Sequence, residues 1–261
     1  MSEKNVSLVL CELGETGIAG LQSFSPFCLK VHRALALARL PYTSRHASSP
    51  REHAKLNPAE QVPILLVDGK PVFDSTRILA RIDELAPGAL FAGLDARGWA
   101  EALLWEELAD TALNGFLVAA RWADDDNWPH VRDAYFGLAP WPVRKIIVPR
   151  IRARVMGSLH ARDVTRHGLG ECWTRFEGLL DVLDARAPDA GFWLGPKPTV
   201  ADVSLFAQLA SFRTRLTPRQ EAMVRARARL SSYLDRVDVA TTAGVASDRA
   251  ETSPVTRARA A

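Results

Sequence analysis

The chain has few cysteines and no long apolar run. Its three cysteines, Cys11, Cys28 and Cys172, are odd in number and widely spaced, which argues against a disulfide framework and favours a reducing compartment. No apolar stretch approaches the ~20 residues needed to span a bilayer. The N-terminal MSEKNVSLVL is too short and too acidic for a signal peptide. These absences predict a cytoplasmic protein without a transmembrane segment.

Motifs for metals, nucleotides and nucleic acids are also missing. The six histidines show no paired spacing with cysteine or carboxylate, so no metal is expected. No glycine-rich loop follows a strand, and there are no internal repeats. No nucleic-acid motif accompanies the one strongly basic segment, so no nucleic-acid partner is expected.

That basic segment, residues 144–166, holds seven basic residues against one acid. Such a stretch would suit an acidic lipid surface or a nucleic acid. Alternatively, arginines interleaved with aliphatic residues predict one helix, broken at Pro149, with its apolar face on the core and a solvated basic face. We favour the second interpretation.

The tetrapeptide Ser25-Pro26-Phe27-Cys28 opens an amphipathic run, LKVHRALALARL. Ser25 is a good N-cap and Pro26 suits the first helical position, so a helix should begin here with its free N–H groups and positive dipole end facing any bound group. The motif has the form of a thioredoxin-fold active site in which a hydroxyl replaces the first thiol. It cannot close a C-x-x-C disulfide, so a ligand would have to supply the sulfur to be activated.

The following segment, NPAEQVPILLVDGKPVFDSTRILARIDEL, predicts a loop, two strands joined by an Asp-Gly turn, and a helix. With the elements before it, the predicted order is β-α-β-α-β-β-α. A cis peptide at Val62-Pro63 would leave the Val62 backbone groups free to pair with an extended peptide ligand. Asp74 and Ser75, at the start of the last helix, suit a ligand with both an amino and a carboxylate group.

The rest of the chain predicts helices. Proline and glycine interrupt the pattern near residues 86–98, and a helix with apolar spacings of three and four then runs for some 25 positions. Further helices are predicted over residues 171–186, 199–213 and 219–236. The predicted organisation is an α/β domain over 1–86, a linker over 87–97, an all-α helical domain over 98–238 and a disordered tail over 239–261.

In this order and spacing, the motifs resemble the glutathione transferase superfamily. The N-terminal half resembles its thioredoxin-like domain, and GPKPTVADVSLF resembles the Thr-x-x-Asp capping box, here Thr199 to Asp202, of its helical C-terminal domain. The resemblance covers roughly residues 6–236. It is closest in look to metaxin-like and failed-axon-connections-like proteins and related bacterial transferases, which share the SPFCLKV start, an Arg-Trp pair (Arg121, Trp122) and a basic stretch.

The resemblance implies a role for each motif residue. Ser25 would face the sulfur of glutathione, the Val62 backbone would pair with its cysteinyl moiety, and Pro63 would be the cis-proline. Asp74 and Ser75 would bind the γ-glutamyl group. Further contacts are expected from Phe27 and Gln61.

Four residues of the long helix are candidates for a hydrophobic second-substrate pocket, although aromatic stripes on helices usually belong to the core. They are Trp105, Phe116, Arg121 and Trp122.

Three functions remain open at this point. The first is a transferase that activates glutathione for attack on a small hydrophobic electrophile. The second is a thiol transferase or reductase in which Cys28 attacks a glutathione mixed disulfide, although Cys28 equally suits a buried structural thiol. The third is a non-catalytic metaxin-like adaptor. Relatives commonly dimerise, so a homodimer is an expected partner.

The loop Cys11–Phe24 is longer than the turn usual at this place. Its three glycines and few large apolar anchors predict a mobile segment near the cleft that would reshape or block the glutathione site.

Overall fold

The N-terminal part of the chain folds into a four-stranded sheet and two α-helices. Its elements are β1 (Leu8–Leu13), α1 (Pro26–Leu37), β2 (Thr43–Ala47), β3 (Ile64–Val67), β4 (Lys70–Phe73) and α2 (Ser75–Leu85). The strands lie in the spatial order β2-β1-β3-β4, with β2 parallel to β1 and the other two pairs antiparallel. The computed structural model from which this description is taken covers residues 6–18, 21–47 and 49–242.

Between β2 and β3, the predicted helix is reduced to a short 3₁₀ turn, Pro50–His53. Pro58 prevents the turn from continuing as a longer helix, because proline lacks an N–H and disfavours helical backbone at the residue before it. The thioredoxin-like order is therefore confirmed with this one change.

Helices make up most of the second domain. They are α3 (Ala96–Leu108), α4 (Asn114–Trp122), α5 (Trp128–Phe136), α6 (Val148–Ala161), α7 (Gly168–Arg186), α8 (Val200–Ala210), α9 (Pro218–Arg225) and α10 (Ala228–Thr242). A π-helical turn, Ala109–Leu113, joins α3 to α4, so the predicted long helix is continuous but distorted at its middle. No helix in the described ranges is long and apolar enough to cross a membrane.

The start of α8 agrees with the predicted capping box. The Asp202 carboxylate accepts from the Thr199 backbone N–H at 2.8 Å. It also accepts from the Trp193 backbone and from the Tyr233 hydroxyl, both at 2.8 Å. One buried carboxylate thus caps α8 and ties it to α10, which accounts for the Thr-x-x-Asp pattern at this point.

The C-terminal end of the fold differs from prediction. The single helix expected over 219–236 is two helices, α9 and α10, and α10 continues to Thr242. Thr241 is only 1% exposed, so a disordered tail starting at 239 is wrong for its first residues. Residues 243–261 of that predicted tail lie outside the described residues.

Expectations for the loop after β1 are also wrong in two respects. The strand β1 extends to Leu13, so the loop begins at Gly14 rather than Cys11. Two large apolar side chains anchor it, since Ile18 and Leu21 are buried together with Val131 of α5 and Leu216. The loop therefore packs onto the helical domain.

The apolar residues of the basic segment are mostly exposed. The helix does not break at Pro149 but begins at Val148, after a π-helical turn, Val143–Ile147. Val148 and Leu159 are buried, whereas Ile146, Ile147 and Met156 are 40–47% exposed. The prediction of an apolar face turned to the core is therefore wrong for most of this segment.

The two domains meet at a buried group of charges. Lys30 of α1 is fully buried, and its Nζ donates to Glu106 and to Asp110, each at 2.6 Å. The Thr76 hydroxyl of α2 donates to the same Glu106 oxygen at 2.9 Å. Burial raises the pKa of Asp110, and the nearby Lys30 opposes this rise. One cation thus compensates two carboxylates at the point where α1, α2 and α3 converge.

We expect Lys30→Met to destabilise the protein by roughly 3–5 kcal/mol, because it strands two buried carboxylates. The triple variant Lys30→Met, Glu106→Gln, Asp110→Asn removes every charge and should recover most of this loss. Urea unfolding of the variants measures both free energies. Equal stability of the single and triple variants would contradict the view that charge compensation matters here.

Candidate functional site

Ser25 caps α1 as its position in the motif predicts. Its backbone is extended (φ −92°, ψ 120°), and its Oγ accepts from the Cys28 backbone N–H at 3.3 Å. A hydroxyl carries one donor and two acceptor sites, so Ser25 keeps a proton to donate, and the Cys28 thiol is one group within its reach. Ser25 is half-buried, so it remains accessible at the positive end of the α1 dipole.

Beside this helix end lies a cavity of about 390 Å³. The Val62-Pro63 peptide bond on its wall is cis, as the sequence suggests. The structure places six sequence-predicted residues together on this wall: Phe27, Gln61, Val62, Pro63, Asp74 and Ser75. Ser25 is not part of the described wall and stands next to it, two residues before Phe27.

Asp74 holds an unusual backbone conformation at the cavity. Its φ of 79° with ψ of 123° is rare for a residue with a side chain, and such conformations cluster at ligand-binding positions. One carboxylate oxygen accepts from the Arg77 backbone N–H at 3.2 Å and so caps α2. The other oxygen is available to a cationic group in the cavity.

The cavity wall also includes residues that sequence reasoning missed. They are Asn57, Ala59, Phe73 and Arg77. Arg77 follows Asp74 by three positions and so lies on the same side of the first turn of α2, a spacing that could have identified it. Arg77 therefore adds a cationic residue to the same cavity wall as Asp74.

Asn57 shapes the approach to the cis peptide. Its amide donates to the Gln61 carbonyl at 2.9 Å, and its side-chain oxygen accepts from the Ala59 backbone at 3.0 Å. The side chain is buried. Asn57 thereby fixes the loop that presents Gln61 and Val62 to the cavity.

Cys28 is shielded from solvent and is expected to be unreactive. Its side chain is fully buried. Burial raises the pKa of the Cys28 thiol well above its ordinary value, the negative charge of Glu12 adds to the rise, and hydrogen bonds from serines only partly offset it. A neutral, inaccessible thiol cannot act as a nucleophile, so the structure argues against a catalytic Cys28 and for a structural thiol.

Glu12 lies behind Cys28 as a buried, ionised carboxylate. Its Oε1 contacts the Nε2 atoms of His32 at 2.9 Å and of His46 at 3.4 Å. Burial alone would raise its pKa, but the histidine hydrogen bonds prevail and lower the pKa of Glu12 to about 2. A fixed negative charge therefore lies under the start of α1.

The predicted second-substrate residues do not form a pocket. At ~1.5 Å per residue, Trp105 and Trp122 lie roughly 25 Å apart along their helix. Trp105 packs edge-on against Trp193, with ring centroids 5.0 Å apart. Phe116 is buried against Phe176 at 5.3 Å. Trp122 belongs to an aromatic cluster with Trp128, Tyr135 and Phe136.

Arg121 has a structural position rather than a place in such a pocket. It is 3% exposed, and its guanidinium donates to the carbonyls of Phe24 at 2.7 Å and Ser211 at 3.0 Å, and to the Tyr135 hydroxyl at 3.0 Å. Phe24 immediately precedes Ser25. Arg121 therefore links the helical domain to the residue before the α1 cap.

Comparison with known families identifies the superfamily of the chain. Residues 24–85 match the family described as "Glutathione S-transferase, N-terminal domain", and residues 150–236 match "Glutathione S-transferase, C-terminal domain". Together the matches cover more than half of the chain. The chain belongs to the glutathione transferase superfamily.

Several solved structures share this fold. The β-etherase LigF of Sphingobium sp. has a TM-score of 0.59 at 19% identity, over 89% of this chain and 95% of that one. A Pseudomonas fluorescens glutathione transferase family member with two glutathiones bound has a TM-score of 0.59 at 16% identity, over 93% and 94%. Glutathione S-transferase I from maize, in complex with an atrazine glutathione conjugate, has a TM-score of 0.53 at 16% identity, over 89% and 92%.

Within the described ranges, no three histidine, cysteine or acidic side chains come together in a way that could hold a metal ion.

We expect no thiol of the native protein to react with a disulfide reagent within minutes. Cys11, Cys28 and Cys172 are all free and fully buried, and burial raises the pKa of each, that of Cys172 to about 11. Denaturation should expose all of them. Ser25→Cys should add one thiol that reacts in the folded state, whereas Ser25→Ala should add none. Rapid labelling of Cys28 in the folded wild type would contradict this assignment.

Proposed function

We propose that the chain binds glutathione in the cavity beside α1 and activates its thiol for attack on a hydrophobic electrophile. The observation that carries the proposal is the meeting of six motif residues on one cavity wall, next to a half-buried hydroxyl at a helix N-terminus. Superfamily membership and glutathione-bound structural neighbours support it. We propose a reducing, cytoplasmic setting and leave the homodimer as an expectation from the family.

The chemistry of the wall suits the functional groups of glutathione. Its extended backbone would pair with Val62, and its cationic γ-glutamyl amine would contact the free Asp74 oxygen. Its carboxylates would accept from Ser75 or from the Arg77 guanidinium, since both line the same cavity. A cationic and an anionic residue on the wall of one cavity fit a zwitterionic end better than a singly charged one.

Thiol activation would follow from the start of α1. A free thiol has a pKa near 8.5, and lowering it by two units requires about 2.7 kcal/mol of preferential thiolate binding. The Ser25 hydroxyl would donate to the sulfur, and the α1 dipole would add to this stabilisation. The thiol proton would pass to solvent, and the sulfur would supply the electron pair of a new C–S bond to the electrophile. In a substitution the leaving group departs with its bonding pair, and in an addition the resulting carbanion takes a proton from water.

Thiol transfer by Cys28 receives no support, because that thiol is buried and protonated. The hypothesis of a non-catalytic adaptor predicts that glutathione does not bind, whereas our proposal predicts that it does. Calorimetric titration with glutathione separates them, since the adaptor gives no binding heat and a transferase does.

We expect Asp74→Asn to weaken glutathione binding by about 1.5–3 kcal/mol, or roughly 10- to 150-fold in Kd, because it removes a charge-assisted contact. The asparagine oxygen can still accept from Arg77, so the melting temperature should hardly change. The matched control is Asp95→Asn, since Asp95 caps α3 through Gly98 at 2.8 Å and does not line the cavity. Equal weakening by both variants, or by neither, would remove Asp74 from the site.

We expect Ser25→Ala to raise the pKa of bound glutathione and to lower kcat/KM toward a chlorodinitrobenzene by roughly 10- to 1,000-fold, the effect of losing one preorganised donor. Ser25→Thr keeps a hydroxyl and an N-cap, so it should retain most of the activity. The thiolate absorbance of the complex, followed against pH, gives the pKa directly. A pKa unchanged in Ser25→Ala would show that Ser25 acts only as a cap.

A further inference from the structure

A helical surface that shares no residue with the cavity at the cis-proline leaves large apolar side chains in solvent. Six of the ten exposed large hydrophobic residues in the described ranges fall within residues 138–156. Their exposed fractions are 105% for Leu138, 67% for Trp141, 47% for Ile146, 44% for Ile147, 36% for Ile151 and 40% for Met156. Such clustering, rather than single scattered residues, is typical of an interaction surface.

Cations are interleaved with these side chains. Ile146, Arg150 and Arg154 follow one another at steps of four and so lie on one side of the helix; the Arg150 guanidinium also contacts the Ile146 carbonyl at 3.5 Å. The Lys145 ammonium lies 4.8 Å from the centre of the Trp141 ring. Among the described residues, Lys145, Arg150 and Arg154 have no ion-pair partner within 4.0 Å.

The inner side of the helix that carries this surface is firmly attached to the helical domain. Arg152 donates to the Trp122 carbonyl at 2.8 Å and to Asp125 at 2.6 Å, and its guanidinium covers the Trp128 ring at 4.6 Å. Val148 and Leu159 are buried on the inner side of α6. The helix is therefore held to α4 and α5 while its outer side stays open.

The combination of unpaired cations and exposed aliphatic side chains favours one kind of binding partner over two others. A symmetric contact between two copies through this surface would oppose like charges. A nucleic acid would match the cations but give no favourable environment to isoleucine, leucine and methionine. An anionic bilayer surface provides both, since cations bind headgroups while apolar side chains and tryptophan enter the boundary with the acyl chains.

We propose that residues 138–156 form a peripheral binding surface for anionic lipid bilayers. This surface is separate from the glutathione cavity and does not depend on the proposed transferase activity. It accounts for the exposed apolar face that sequence patterning assigned to the core.

The test is co-sedimentation of the full chain with vesicles of phosphatidylcholine alone or with about 30% phosphatidylserine, at ~0.1 M and ~0.5 M salt. We expect binding only to the anionic vesicles, with a large loss at the higher salt. Arg150→Glu with Arg154→Glu should lower the partition coefficient at least ~10-fold. Ile146→Ser with Ile147→Ser should lower it at both salt concentrations, because the apolar contribution is not screened.

Matched controls change the same charge and apolarity elsewhere. Arg215→Glu with Arg219→Glu alters two exposed arginines of the α9 region, and Val182→Ser with Val239→Ser alters two exposed valines. Neither pair should affect binding. Absence of binding to anionic vesicles by the wild type would overturn the proposal. So would equal effects of the surface and control variants, a monomer–dimer shift as the only effect of the surface variants, or binding of a DNA duplex without vesicle binding.

Discussion

The salt-bridged amine of Lys30 is the contact on which the relation between the two domains depends. It compensates Glu106 and Asp110 at 2.6 Å each, where Lys30 and Glu106 are buried and Asp110 is part-buried. Buried carboxylates without a cation would be strongly unfavourable, so the helical domain can pack on α1 only where Lys30 meets them. Because Thr76 binds the same Glu106, the start of α2 is fixed by the same group. One set of charges thereby positions the two helix N-termini that border the candidate cavity.

A second link reaches the site from the helical domain. Arg121 holds the carbonyl of Phe24, and the Phe24 ring packs edge-on against Tyr135 with centroids 4.6 Å apart. The loop before them is anchored on α5 through Ile18 and Leu21. The residue before the Ser25 cap thus has its backbone and its side chain held by the second domain. The cap of α1 is consequently a property of the assembled chain, and not of the tetrapeptide alone.

Sequence reasoning succeeded where the determinants are local. An N-cap followed by proline, the Val62-Pro63 step, the Asp-Ser helix start and the Thr199 capping box each lie within a few residues, and all four appear as expected. It failed where a side chain acts over long sequence distances. Arg121 binds partners 14, 90 and 97 positions away, and nothing in its neighbourhood reveals them. The prediction that the apolar face of the basic helix packs on the core was wrong for a related reason. Periodicity shows that a face is apolar but not whether another element covers it.

The charges around Cys28 explain why a fold of this kind would act on a ligand's thiol rather than its own. The α1 dipole favours a thiolate at its N-terminus. The Cys28 thiol, however, is buried, and burial together with the negative charge of Glu12 raises the pKa of Cys28. Ser25, by contrast, is half-buried and caps the N-terminus of α1. Replacing the first thiol of a C-x-x-C pair by serine while burying the second leaves no redox couple. What remains is a hydroxyl donor at a helix N-terminus, and the sulfur that it can stabilise has to come from outside the chain.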